Sequence, residues 1–191
     1  MIAVMEKIYT ERLVLDEISL RDTQSIFNLF SLPEVVRYYD LEAFENEEQA
    51  EKLIKLLETR QQDGVGIRWA IRFADDEECI GTCGFNSWNK RFKSTVIGYD
   101  LHKKHWGKGL VTEALGAIID HAFSSKLVCG EINRIQADTM VDNIASERVL
   151  AKLAFEYEGI HRQAAYWKDE FHDLKCYSLL KEEHNKSRAL A

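Results

Sequence analysis

Apolar residues recur along this chain with two periods, and the places where one gives way to the other predict its elements. Alternation over 10–17 (TERLVLDE) predicts a strand. Helical spacing then runs from about 20 to 30, Pro33 initiates a turn, and a long helix spans 47–62, where Leu53, Ile54, Leu56 and Leu57 give one buried face. Gly64 and Gly66 end that helix. Strands over 67–74 and 78–88 are joined by an acidic turn, and another strand covers 95–102. A helix over 112–123 repeats Ala114, Leu115, Ile118, Ile119 and Ala122 on one face. A short strand carrying Ile135, Ala137 and Thr139 leads to a second helix, entered at Asp142 or Asn143, in which Ile144, Val149, Leu150, Leu153 and Ala154 face a core. A hairpin follows, 156–167 and 171–180 with its turn at 168–170. One domain over 1–181 is expected, since no repeat or Pro-rich linker divides the chain, and the polar tail 182–191 is expected to be disordered.

Candidate chemistry concentrates at 96–112, VIGYDLHKKHWGKGLVT, where a strand passes through a basic, aromatic loop into a helix. The first turn of a helix leaves backbone N–H groups unpaired at the positive end of its dipole, so an anion belongs there. Gly107 and Gly109 let the backbone approach a pyrophosphate, and Lys103, Lys104 and Lys108 add positive charge. The loop is neither a P-loop nor a dinucleotide fingerprint, because it lacks G-x-x-x-x-G-K-[ST] and a third glycine at the required spacing. Taken alone, G-K-G also describes a helix entered through a flexible turn.

A second constellation lies in 133–155, where Asn143, Ser146, Val149, Leu150, Lys152, Ala154 and Phe155 follow N-x-x-S-x-x-V-L-x-K-x-[G/A]-F. Together the two constellations resemble the GCN5-related N-acetyltransferases (GNAT), and within them the ribosomal-protein N-terminal acetyltransferases of the RimJ/RimL type. The opening 10–15 (TERLVL) resembles that branch's first strand, 80–85 (IGTCGF) its third and 177–180 (YSLL) its last.

The resemblance implies a single-domain α/β (α+β) GNAT fold: a mixed, mostly antiparallel sheet of about seven strands, with strands 4 and 5 splayed apart, flanked by about four helices. It also implies acetyl-CoA as co-substrate. Pyrophosphate would rest on backbone amides of Trp106, Gly107, Lys108, Gly109, Leu110, Val111 and Thr112, and pantetheine would lie near Asp100, Leu101 and His102. Asn143 matches the asparagine that holds the pantetheine arm, and Ser146 a serine proposed to protonate the departing thiolate; first-turn serines also serve as caps. The thioester oxygen would be met by a backbone amide of the fourth strand. One wall of the acceptor pocket would be 33–39 (PEVVRYY), with Trp88 and Tyr166 opposite. Tyr99 and Phe85 read as core, whereas Tyr38, Tyr39 and Trp88 stay open between pocket and core.

The chain departs from the family in its catalytic equipment. Trp106 and Val111 stand where the broad family has Gln or Arg and Gly or Ala, the tryptophan being common in this branch. The tyrosine general acid of many relatives falls at Leu150, and the glutamate base of the nearest enzymes at Ala165. Asp100, Glu158, His161 or an ordered water are the alternative bases. An alkylammonium has a pKa of about 10.4, but a peptide α-amine titrates at about 7.7–8.0 and needs a base least.

Composition narrows the setting. The 191 residues, 46% hydrophobic, suffice for one well-packed core. No apolar run reaches about 18 residues, so a membrane span is not expected, and Glu6 with no small-residue cleavage site argues against a signal peptide. A net charge of -7 argues against nucleic-acid binding, and acidic residues at 45–51 and 75–78 read as a helix start and a turn, or as steering for a cationic amine. Cys79, Cys83, Cys129 and Cys176 show no zinc spacing, so no metal is expected, and reduced thiols fit a cytoplasmic protein. Cys79 and Cys83, four apart in a strand pattern, would share a face, while His102 and His105 read as surface residues. A homodimer is the default closed assembly.

The reading is an acetyl-CoA-dependent N-acetyltransferase in which an amine attacks the thioester directly in a ternary complex. The acceptor is first a protein or peptide N-terminal α-amine, and next a small amine such as a polyamine or aminoglycoside. A catalytically silent acyl-CoA-binding module is the alternative that Leu150 and Ala165 suggest, and a different nucleotide on the G-K-G loop is a third.

Overall fold

The computed structural model describes residues 5–125, 127 and 130–189. Its strands are β1 (Ile8–Tyr9), β2 (Leu13–Glu17), β3 (Ile67–Phe73), β4 (Gly81–Asn89), β5 (Ser94–Leu101), β6 (Arg134–Met140), β7 (Glu156–Trp167) and β8 (Glu170–Leu180). They form one sheet in the order β1-β2-β3-β4-β5-β6-β8-β7, in which only β5 and β6 run parallel. The α-helices are α1 (Thr23–Phe30), α2 (Pro33–Val36), α3 (Glu47–Gln62), α4 (Leu110–Phe123), α5 (Ile144–Lys152) and α6 (Lys181–Ala189). This is the mixed, mostly antiparallel architecture expected, with eight strands and six α-helices among the described residues rather than about seven and four.

The parallel pair carries the feature that matters for function. β5 and β6 are in register only at Ser94↔Arg134, Thr95↔Ile135 and Val96↔Gln136. Beyond Val96 the edge of β5 turned toward β6 has no ladder partner, so a cleft opens with backbone hydrogen-bonding groups along one side.

Alternation along the strands divides the interior into two clusters. Trp69, Ile71, Cys83, Phe85, Ile97 and Leu101 pack with Ala114, Leu115, Ile118, Ile119 and Ala122 of α4 and with Leu150 of α5. On the other face Ala70 joins Ile26, Leu29 and Phe30 of α1 and Ala50 and Ile54 of α3. Asn46 caps α3, its Oδ1 accepting from Gln49 N at 3.2 Å, as the acidic helix start at this point requires.

Several expectations need correction. The first strand is shorter than 10–17, because Thr10 N donates to Leu13 O and closes a tight turn between β1 and β2. Cys79 and Cys83 do not share a face: Ile80 N donates to Ile71 O although Ile71 also pairs with Gly81, and this extra residue inverts the alternation, placing Cys79 in the α1/α3 cluster and Cys83 in the α4 cluster. β4 accordingly begins at Gly81 rather than 78. Leu56 is 53% exposed and Ile144 51%, so α3 and α5 bury narrower stripes than their patterns suggest. Ala154 is exposed too, at a positive φ of 60° that turns the chain out of α5. His105 is buried rather than superficial, its ring edge-on to Phe73. The tail expected to be disordered forms α6, held by His184 Nε2 to Asp120 Oδ1 at 2.7 Å, by Arg188 to the same carboxylate, and by packing of His184 on Phe123. Cys129 lies outside the described residues.

Candidate active site

The loop between β5 and α4 has the features an anion site needs. Gly107 and Gly109 sit at φ of 75° and 76°, and a Cβ on Gly107 would meet open space. Gly109 is the N-cap of α4, and no side chain caps the helix, so the amides of Leu110, Val111 and Thr112 keep their donors for a ligand. Leu110 itself is buried in the core, which leaves only its backbone to serve the loop. Trp106 is half exposed and its indole N–H donates to Leu101 O at 2.7 Å, pinning the loop to the end of β5. His102 stands beside it, its Nδ1 accepting from Lys104 N. Burial and the Lys104 charge hold the His102 and His105 imidazoles below their usual range, so they do not add positive charge at neutral pH.

A brace that the sequence did not reveal steadies this loop. Glu113, in the first turn of α4, accepts from Thr10 Oγ1 at 2.6 Å, from Arg12 N at 2.9 Å and from Arg12 Nε at 2.6 Å, while Arg12 also donates to Lys108 O at 3.1 Å. The turn that shortens the first strand therefore fastens the β1–β2 corner to the helix entrance. No local signal joins residues about a hundred positions apart.

At the start of α5 the two motif residues divide their work. Asn143 is the cap, its Oδ1 accepting from Ser146 N at 3.1 Å. The Ser146 hydroxyl is thereby free of the capping role, and it lies 2.5 Å from the phenol oxygen of Tyr99. Leu150, one turn further on, is buried in the core. Tyr99 thus packs against the core, as expected, yet its polar tip reaches the site.

The candidate bases do not gather there. Asp100 points to the face opposite Tyr99, where its Oδ2 takes a short bond from Arg68 and accepts from Thr82 Oγ1 at 2.9 Å; the whole group is enclosed. Glu158 is gripped by both Arg134 terminal nitrogens at 2.7 and 2.6 Å and by Ser178 Oγ at 2.7 Å, and these bonds lower its pKa to about 2. His161 is exposed on β7, near Asp138 and Cys176, whose ligand-type atoms lie within 4.8 Å of its own. Burial pushes the Cys176 thiol up to about 11, so it is protonated at neutral pH and a poor metal ligand. Cys79 and Cys83 are pushed up to about 12 by burial, so both are protonated thiols enclosed in the core. Ala165, expected at the glutamate's position, is half-buried opposite His172.

The pocket wall is assembled in part. Tyr38 donates to Asp142 O at 3.2 Å, Tyr39 to Tyr99 O at 3.4 Å, and Lys168 at the hairpin tip to Val36 O at 2.9 Å, so 33–39 closes against both α5 and the β7–β8 hairpin. Tyr166 is 59% exposed beside Phe171. Trp88 pairs with Thr95, below the point where β5 and β6 part, and its indole donates to Gly64 O, which keeps it with the core.

A splayed parallel pair, an uncapped glycine-entered helix at one strand end and an Asn/Ser motif at the other define a family, and the comparisons agree. Residues 12–156 match the family model described as an acetyltransferase (GNAT) domain. The chain belongs to the GNAT family. It is 37% identical over 172 residues, 90% of its length and 95% of the relative's, to the uncharacterized N-acetyltransferase YoaA of Bacillus subtilis (strain 168). It is 34% identical over 103 residues to the ribosomal-protein-serine acetyltransferase of Escherichia coli (strain K12), covering 54% of this chain and 55% of that one. Among solved structures it shares its fold with the microcin C7 self-immunity acetyltransferase MccE in complex with acetyl-CoA and AMP, at a TM-score of 0.80 and 22% identity, covering 90% of this chain and 93% of that one. The protein is accordingly an acetyltransferase that uses acetyl-CoA and an amine acceptor. No helix of the described residues is long and apolar enough to cross a membrane.

Proposed function

We propose that this GNAT enzyme acetylates the N-terminal α-amine of a protein or peptide, by direct attack on acetyl-CoA in a ternary complex. The observation that carries this reading is that the carboxylates offered as bases are committed to partners away from the cleft. Asp100 is held by Arg68 and Thr82, Glu158 by Arg134 and Ser178, and the remaining position expected to carry a base is Ala165. An acceptor already partly neutral at pH 7 suits such a site, and an α-amine with a pKa of about 7.7–8.0 is one. The similarity to a ribosomal-protein-serine acetyltransferase supports the same acceptor class.

In this reading the amides of 107–112 hold the pyrophosphate, the expected Trp106 amide being committed to Lys103 O, and the edge of β5 beyond Val96 that lacks a strand partner pairs with the pantetheine alongside Leu101 and His102. Asn143, whose Oδ1 caps α5, turns its amino group to the pantetheine arm. Asp100 positions Arg68 beneath the acceptor pocket rather than serving as the base. Ser146 meets the sulfur as the C–S bond breaks.

The test is thiol release from acetyl-CoA by the purified protein against N-terminal peptides, polyamines, amino acids and aminoglycosides, with acceptor-free blanks. Turnover of peptides, with a rate that rises through the acceptor's own α-amine pKa, is the expected result. Turnover confined to polyamines or aminoglycosides would overturn the acceptor class, and acetyl-CoA binding without release to any amine would favour the silent module.

A further inference from the structure

We propose that Tyr99 is a positioning residue for Ser146: its phenol donates a hydrogen bond to Ser146 Oγ across the cleft and so turns the serine's own O–H toward the thioester sulfur. This rests on the reading of Ser146 given above and adds to it a residue from a different element. The two side chains are separated by 47 positions in sequence, yet their oxygens stand 2.5 Å apart.

Either hydroxyl could donate in this contact, and the phenol also lies 3.5 Å from Ser146 O; three observations favour Tyr99 as the donor to Oγ. Asn143 already caps the helix through the Ser146 amide, so the serine hydroxyl is not consumed by the local backbone. Burial, outweighing the Ser146 bond, pushes Tyr99 up to about 12, which keeps the phenol protonated throughout the physiological range. A neutral phenol is a stronger donor and a weaker acceptor than an aliphatic hydroxyl, so Tyr99 gives and Ser146 receives. The serine's proton is then left for another acceptor, and an O–H whose oxygen is itself receiving a bond is the better donor.

Tyr99 also occupies the right place. It lies on β5 past Val96, the last residue in register with β6, and so borders the cleft. Leu150 offers no proton and is turned into the core from the same helix that carries Ser146. A phenol therefore reaches the serine from the strand side of the cleft instead of from the helix.

The chemistry balances without a proton relay. The amine nitrogen forms its bond to the acetyl carbon, the C–S pair passes to sulfur, and Ser146 O–H meets the charge that develops there. A phenol at about 12 is a weaker acid than a thiol at about 8.5, so no proton runs from Tyr99 through Ser146 to sulfur. The proton shed by the new amide nitrogen goes to water, and the sulfur departs as a hydrogen-bonded thiolate. Ser146 on this account stabilises the thiolate rather than protonating it.

The test needs no acceptor. CoA labelled with 13C at the sulfur-bearing carbon is bound to the wild type, to Tyr99→Phe, to Ser146→Ala and to the double variant, and its NMR shift is titrated to give the pKa of the bound thiol. The wild type is expected to hold that thiol below free CoA. Ser146→Ala should weaken its acidity about tenfold, Tyr99→Phe about threefold or more, and the double variant no further than Ser146→Ala alone, because the two groups act through one bond. Affinity of Tyr99→Phe for CoA at pH 6, where the thiol is protonated both free and bound, should change less than about twofold. If Ser146→Ala moves the thiol and Tyr99→Phe does not, the role of Tyr99 is refuted and that of Ser146 stands. If Ser146→Ala leaves it unmoved, the serine reading falls and takes this inference with it. Loss of CoA affinity in Tyr99→Phe would make the tyrosine a structural residue and overturn the proposal.

Discussion

Tyr99 and Asp100 are neighbours on β5, and they show how differently the two faces of this sheet are used. The face carrying Tyr99 is largely apolar, closed by α4 and α5, and the polar tip of Tyr99 reaches Ser146 at the cleft. The face carrying Asp100 buries charge. Arg68 joins Asp100, Thr82 and Asn86 there, and Arg72, 4% exposed, binds Asp16 at 2.6 Å and Asp22 at 2.8 Å. Buried charge is stable when it is paired, and that face is built of ion pairs in which, among the described residues, Asp100 Oδ1 is left without a hydrogen-bond partner. The apolar face, whose packing is indifferent to protonation, can spare a hydroxyl pair for chemistry.

Breaking the charged face should have the largest effect. Arg72→Ala leaves Asp16 and Asp22 buried without their shared partner and is expected to cost about 3–5 kcal/mol, read by denaturant unfolding. On the apolar face Leu115→Ala removes a fully buried side chain, with an expected loss of about 2–5 kcal/mol, and this loss should not vary between pH 5 and 8. A pH-dependent loss at Leu115 would blur the distinction between the faces.

Two glycines of α4 sharpen it at the ligand end. Gly109→Ala forces a side chain into a left-handed conformation, a strain of about 1–2 kcal/mol that should weaken acetyl-CoA binding about tenfold by calorimetry. Gly116→Ala, mid-helix with its new Cβ 3.9 Å from Leu153, should instead raise stability by about 0.5–1 kcal/mol and leave binding alone.

The smallest effect belongs to the sheet edge. Glu158 is held at about 2 by bonds from Arg134 and Ser178, so its contribution is complete above the ordinary carboxylate range and disappears as pH falls from about 4.5 to about 2. Glu158→Gln should therefore lower stability at pH 7 by under about 1 kcal/mol, because the pair is solvent-screened, and the difference should vanish near pH 2. Persistence of the difference in acid would show that Glu158 acts through packing.

Much of the architecture was legible because it follows from local periodicity. Helix α3 spans the expected 47–62, α4 buries each of the five residues that its spacing singled out, and the strands with Ile135, Ala137 and Thr139 buried match their alternation. Where the reading failed, a single non-periodic event intervened. The extra residue at Ile80 reversed the facing of Cys79, the turn at Thr10 shortened β2, and distant Asp120 ordered a tail whose own composition is polar throughout. Of the site, the glycine loop and the Asn143/Ser146 motif were visible as short strings, since their chemistry lies in adjacent backbone. From the sequence Tyr99 reads as core and no more, and nothing local marks the Arg12–Glu113 brace.

The sequence by itself determined the family and the element order, and it marked single residues whose local role the structure bears out: the glycines that enter α4 and the cap of α5. The tertiary structure alone decided which of the titratable groups remain available, because availability depends on pairs. Asp100 and Glu158 are spent on arginines 32 and 24 positions away, and Ser146 is turned to Tyr99 from 47 positions away. Strand alternation tells which face a side chain takes, but only the packed sheet sets the partner it meets there, and in a low-dielectric interior the partner fixes whether a polar group is held or free to act.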